Sequence, residues 1–116
     1  MDVDMDQHEA NAELVAERAR HGDVAERPRR VDHVVVARRK HVDEVVSALE
    51  ARGFTVEGVR RGLLRASVAF HRVDAVTLEA ADAFTREVVE AVEPLSGDYD
   101  GWAAFVLPAD APTGTS

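Results

Sequence analysis

Five histidines, His8, His21, His33, His41 and His71, are the side chains of this sequence whose ordinary pKa lies nearest neutrality. His33 and His71 fall in segments read below as strands. If those strands are neighbours, the two imidazoles approach each other on one sheet face, with Asp32 or Arg65 beside them. Such a group could serve acid-base chemistry or bind a metal, because imidazole nitrogens and carboxylate oxygens ligate borderline cations. Either use demands convergent ligands and a second layer of residues that orients them. The rest of the chain offers little support. It has no cysteine, which removes disulfides, thiolate nucleophiles and sulfur-ligated metal sites. It also lacks a nucleophile elbow, a phosphate-cradling glycine loop and paired zinc-ligand spacing. The histidines are therefore read as hydrogen-bonded surface or strand residues, and no catalytic, cofactor-binding or metal-binding residue is assigned.

A second group with chemical potential is Tyr99-Asp100-Gly101-Trp102. Tyrosine and tryptophan are enriched where partners bind most tightly. As a structural feature, the same four residues read as a turn before an edge strand, with Gly101 permitting tight geometry and Trp102 filling the core. The two readings are compatible, since an indole can pack its body and still present its N–H. The run Arg38-Arg39-Lys40 reads as a solvated connection between strand and helix, or as a contact for an acidic partner. The expected partner-contact set is Asp32, His33, Arg65, His71, Tyr99, Asp100, Gly101 and Trp102.

These residues need elements to position them. At 116 residues the chain has the size of one domain. Residues 1–6 read as a disordered N-terminus, 7–108 as a single domain and 109–116 as a disordered tail. Within the domain, 7–21 reads as an amphipathic helix with Ala10, Leu14, Val15 and Ala19 loosely on one side. The unbroken Val34-Val35-Val36 marks 31–38 as a strand with neighbours on both sides. Val42, Val45, Val46 and Leu49 then follow helical spacing, ended by Gly53. Residues 54–60 form a strand weakened by Gly58, which suits an edge. From Leu63 to Arg72 the sequence alternates, with Leu64, Ala66, Val68 and Phe70 inward. A third helix, capped by Asp74 or Thr77, runs to about Glu93 with acids outward, before Pro94. The last strand is read over 101–107.

The order after the first helix is strand, helix, strand, strand, helix, strand: an α+β chain with the split βαβ pattern of a ferredoxin-like sandwich. Right-handed crossovers place the first and third strands in the middle of a four-stranded antiparallel sheet, with two helices on one face. The other face is expected to present His33, Val35, Arg65, Ser67 and Ala69. That mixture suits a transient interface, in a monomer or weak homodimer.

The net charge of −8 is unevenly spread. Residues 1–26 hold 8 acids and 2 bases, 27–72 hold 5 acids and 11 bases, and 73–116 hold 9 acids and 1 base. An acidic balance argues against direct nucleic-acid binding, which needs clustered cations. No apolar run approaches the roughly 20 residues of a membrane helix, and no export signal opens the chain. A soluble, cytoplasmic protein is the expectation.

Three islands carry a family resemblance: Arg27-Pro28-Arg29-Arg30-Val31-Asp32-His33, Arg52-Gly53-Phe54-Thr55-Val56, and Asp98-Tyr99-Asp100-Gly101-Trp102. Together, over roughly 22–108, the chain resembles the regulator of ribonuclease activity B family. The resemblance implies a ferredoxin-like fold without catalysis of its own. It also implies a protein partner of the ribonuclease E type, inhibited by binding, with RNA decay altered indirectly. The acidic third helix would then imitate RNA phosphate. The alternative is a ligand-binding or catalytic dimer whose pocket is lined by His33, His71 and Trp102.

Overall fold

The computed structural model describes residues 5–109. In chain order its elements are α1 (Met5–Arg20), β1 (Arg29–Arg38), α2 (Val42–Glu50), β2 (Thr55–Arg61), β3 (Arg65–Asp74), α3 (Leu78–Val92) and β4 (Asp98–Ala103). The four strands make one antiparallel sheet in the order β2-β3-β1-β4. Valine-rich β1 is hydrogen-bonded on both sides, and the glycine-containing β2 lies at an edge.

Alternation decides which face of the sheet is dry. Strand β1 buries Arg29, Val31, His33, Val35 and Ala37, and β3 buries Ala66, Val68 and Phe70. Against them pack Val42, Val45 and Leu49 of α2, and Ala81, Phe84, Thr85, Val88, Ala91 and Val92 of α3. Helix α3 starts where the Thr77 hydroxyl accepts the Ala80 N–H at 3.1 Å, satisfying a backbone donor that the first turn leaves free. The apolar interior has two parts. One gathers Val35, Leu49, Val68, Phe70 and Val88, and the other gathers Val31, Val76, Phe84 and Trp102. Each buried side chain of this size contributes about 1.5–3 kcal/mol.

Helix α1 lies beside α3, on the helical side of the sheet. Its docking side differs from the expected one. Ala10 and Ala19 are exposed and Leu14 is 39% exposed, whereas Asn11 is buried. The reason is that polar side chains, not apolar ones, hold this helix in place. Met5 and Asp6 open α1 rather than belonging to a disordered end, and residues 1–4 and 110–116 lie outside the described residues.

Two strand boundaries also differ from expectation. Leu63 and Leu64 lie in the β2–β3 connection at 87% and 78% exposure, so Leu64 does not point inward. The Gly62 N–H bonds Arg65 O at 2.7 Å and the Arg39 N–H bonds Leu64 O at 2.9 Å, which delays the alternation until Ala66. Strand β4 begins at Asp98, so Tyr99-Asp100-Gly101-Trp102 lies within it rather than in a preceding turn. Val34 faces Gly101 and Val35 faces Tyr99, leaving Asp100 as the extra residue of a bulge. Gly101 has φ 112°, a backbone conformation that side chains oppose.

The segment after β4 returns over the α1–β1 connection and is tied there. Arg18 donates to Ala104 O and Phe105 O, each at 2.6 Å, and Asp23 accepts the Leu107 N–H at 2.9 Å. Asp23 also pairs with Arg29, the side chains being 2% and 4% exposed. Burial alone would raise the Asp23 carboxyl. The hydrogen bonds from Arg29 and Leu107, with the charges of Arg29 and Arg18, outweigh burial and hold it below the usual carboxylate range.

Candidate partner-binding surface

The sheet face away from the helices carries Arg30, Asp32, Val34, Val36 and Arg38 from β1, and Arg65, Ser67, Ala69, His71 and Val73 from β3. Register sets Asp32 opposite His71, and His71 opposite Thr55 of β2. Glu57, two residues beyond Thr55, lies on the same face beside a bulge between Val56 and Gly58. Glu57 Oε2 lies 3.0 Å from His71 Nδ1 and also accepts from Arg30, whose Nε donates to Asp32 Oδ1 at 2.9 Å. One end of the face is thus a linked group of alternating charge.

Ligand atoms of Asp32, Glu57 and His71 lie within 4.8 Å of one another. Two carboxylates and an imidazole are a donor set for a divalent cation. Here Arg30 already supplies the positive charge that an ion would bring. These groups are between 23% and 50% exposed, so each pair is worth roughly 0–1 kcal/mol. The middle of the face is a shallow hollow lined by Val34, Gly58, Val59, Arg60, Ser67 and Ala69. At the opposite end Arg65 stands 3.5 Å from Asp98.

The sequence placed His33 and Val35 on this face, but they lie in the interior at 1% and 0% exposure. Register pairs His33 with Phe70 and Asp32 with His71, so the two imidazoles point to opposite sides of the sheet. The ligand site read from His33, His71 and Trp102 therefore does not form: His33 is buried on the helical side of the sheet and His71 lies on the other.

His33 instead sits where the two parts of the core meet. Its ring stacks on Phe70 at 5.1 Å and meets Phe54 and Phe84 edge-on at 5.4 and 5.1 Å. Its Nδ1 lies 2.7 Å from the Tyr99 hydroxyl, and its buried Nε2 has no hydrogen-bond partner among the described residues. Burial, aided by the nearby Arg72 charge and opposed by Asp32, pushes the imidazole down to about 4. It is neutral in the fold at physiological pH. Burial likewise holds the Tyr99 phenol well above its ordinary range.

Tyr99 and Trp102 therefore belong to the interior. Trp102 Nε1 donates to Asn11 Oδ1 at 2.9 Å, while Asn11 Nδ2 donates to Asp82 Oδ1 at 2.9 Å and Thr85 Oγ1 at 3.1 Å. The second Asp82 oxygen meets His8 Nδ1 at 2.6 Å. Asp100 is exposed and Gly101 half-buried at the rim, beside a cleft of about 250 Å³ between α1 and β4. Of the expected contact set, Asp32, Arg65 and His71 share the open face, and His33, Tyr99 and Trp102 lie beneath it.

Sequence reasoning missed Asn11, Arg30 and Glu57. His8, Asn11, Val15 and Arg18 recur at three- and four-residue spacing, a stripe legible as a helix face. Glu57 follows Thr55 at the two-residue spacing of a strand face, and Gly58 inside the strand pattern was the sign of the bulge beside it.

Comparison with known proteins gives one family match. The model of the regulator of ribonuclease activity B (RraB) family matches residues 8–103. A search of curated proteins finds no match. Among solved structures, a crystal structure of a Thermus thermophilus protein is similar at 20% identity and TM-score 0.37, over 67% of this chain and 12% of that one. The family match spans every helix and strand named above except the first three residues of α1, and on it the chain belongs to the regulator of ribonuclease activity B family.

Proposed function

We propose that this protein regulates RNA decay by binding a ribonuclease of the E type, without a reaction of its own, and that the open sheet face is its contact surface. The observation that carries this reading is the family match over 8–103. The layout of the open face supports it: a broad sheet surface uncovered by helices, with Asp32, Arg65 and His71 presented beside Arg30 and Glu57. Exposed charge around a low centre of small and apolar side chains edged by Arg60 fits an interface that forms and dissociates.

The sheet order β2-β3-β1-β4 with α2 and α3 on one side supports a ferredoxin-like arrangement, extended beyond the bare six-element unit by α1. A cytoplasmic setting accords with a sequence without cysteine. Among the described residues, no helix is long and apolar enough to cross a membrane.

The test is a cleavage assay with purified ribonuclease E and a single-stranded RNA substrate. Adding this protein up to equimolar amounts is expected to slow cleavage, and the two proteins are expected to co-elute in gel filtration. Unchanged cleavage together with separate elution would overturn the proposal.

A further inference from the structure

The connection between β2 and β3 exposes two adjacent leucines, Leu63 at 87% and Leu64 at 78%. They are held in place, since Gly62 O accepts from Arg39 Nη1 at 3.3 Å and backbone bonds close the turn on both sides. Both line a groove of about 820 Å³ whose other walls are Arg38, Arg39, Lys40, Asp43 and Arg65. The groove thus holds four cations and one carboxylate, and Asp43 is already engaged by Arg61 at 3.3 Å. Arg65 has the exposed Asp98 at 3.5 Å, whereas Arg38 and Lys40 meet no carboxylate among the described residues. In a chain of net charge −8, this corner gathers uncompensated positive charge around apolar surface that folding leaves wet.

We infer that this corner is a docking site for an acidic protein segment bearing apolar side chains. Its carboxylates would meet Arg38, Arg39, Lys40 and Arg65, and its apolar groups would cover Leu63 and Leu64. The inference rests on the regulatory reading above and names the part of the partner that is seized. Two anionic alternatives fit less well. No aromatic side chain lines the groove to stack a base, and phosphates alone would leave Leu63 and Leu64 uncovered. The leucines share a groove with the cations, which suits a narrow chain better than a flat bilayer. Carboxylates steered in by the arginines and then anchored by leucine contacts combine fast encounter with slow release.

The experiment is fluorescence anisotropy on the full chain with a labelled synthetic peptide that alternates Glu or Asp with Leu or Phe. A control peptide has serine at every apolar position. The alternating peptide is expected to bind about tenfold more tightly than the control, a difference of ~1.4 kcal/mol. Leu63→Ser/Leu64→Ser is expected to erase that advantage, and Arg38→Glu/Lys40→Glu to abolish binding of both peptides, with no change in melting temperature because all four side chains are exposed. Absence of peptide binding, or wild-type affinity in both double variants, would overturn the inference. So would tighter binding to a uridine oligonucleotide or to phosphatidylglycerol vesicles. The ribonuclease assay separates the two proposals. Equal inhibition by wild type and both double variants would sink this site and leave the regulatory reading standing. Peptide binding at the leucines with no effect on cleavage would do the reverse.

Discussion

His33 and Tyr99 meet through one hydrogen bond, 2.7 Å from imidazole Nδ1 to phenol oxygen, at the junction of the two parts of the core. The site keeps the imidazole neutral, with a pKa depressed from 6.5 to about 4 by burial and the Arg72 charge. An unfolded chain takes up this proton first as pH falls. The contribution of His33 to stability is therefore intact above pH 6.5 and lost progressively towards pH 4, by about 3 kcal/mol in all. Denaturant titrations across that range should show the decline in wild type and a flatter profile in His33→Phe. Equal slopes in the two proteins would remove His33 from the acid response.

Asn11 ties three elements together through Trp102, Asp82 and Thr85. Asn11→Ala leaves a buried indole N–H and a buried hydroxyl without this partner, and should cost about 1–3 kcal/mol. The loss is expected to be local before it is global. Amide exchange in α1 should accelerate and Trp102 emission should shift to the red, while the β1 and β3 amides stay protected. Uniform exchange changes across the chain would count against a separable α1.

The Asp23–Arg29 pair is nearly dry, and removing one partner strands the other. Asp23→Ala is expected to destabilise by about 3–5 kcal/mol, read as a fall in denaturation midpoint. Because the Asp23 carboxyl is held below its ordinary range, its stabilising effect is present above that range and is lost as pH falls through the depressed value. Asp23→Asn should weaken that acid-side loss.

Charges on the open face should matter to a partner and hardly at all to folding. Asp32→Lys/His71→Ala breaks pairs between exposed or half-exposed groups, and the expected stability change is within about 0.5 kcal/mol per site. Affinity for ribonuclease E, measured by surface plasmon resonance, should fall at least about tenfold, ~1.4 kcal/mol. An unchanged affinity would move the contact surface elsewhere.

Much of the frame was readable one residue at a time. Val34-Val35-Val36 announced a strand with two neighbours, Gly58 an edge, and the spacing of Val42, Val45 and Leu49 a helix resting on the sheet. Side-chain direction was harder to read. An imidazole at position 33 fits either face of a strand by sequence, because a shift of one residue exchanges the faces. The pairing of β1 with β3 made the choice, setting His33 across from Phe70 and Asp32 across from His71.

The same division holds for the candidate surfaces. Order of elements, charge blocks and the family islands are written in local residue patterns, since propensity, period and turn chemistry act over a few neighbours. The alternating charges of Arg30, Asp32, Glu57 and His71, the hydrogen-bonded chain from His8 through Asp82 and Asn11 to Trp102, and the basic corner around Leu63 and Leu64 all join residues distant in sequence. Register, two bulges and the docking of α1 decided those groupings, because they arise when separate segments pack against one another and no single segment carries the instruction.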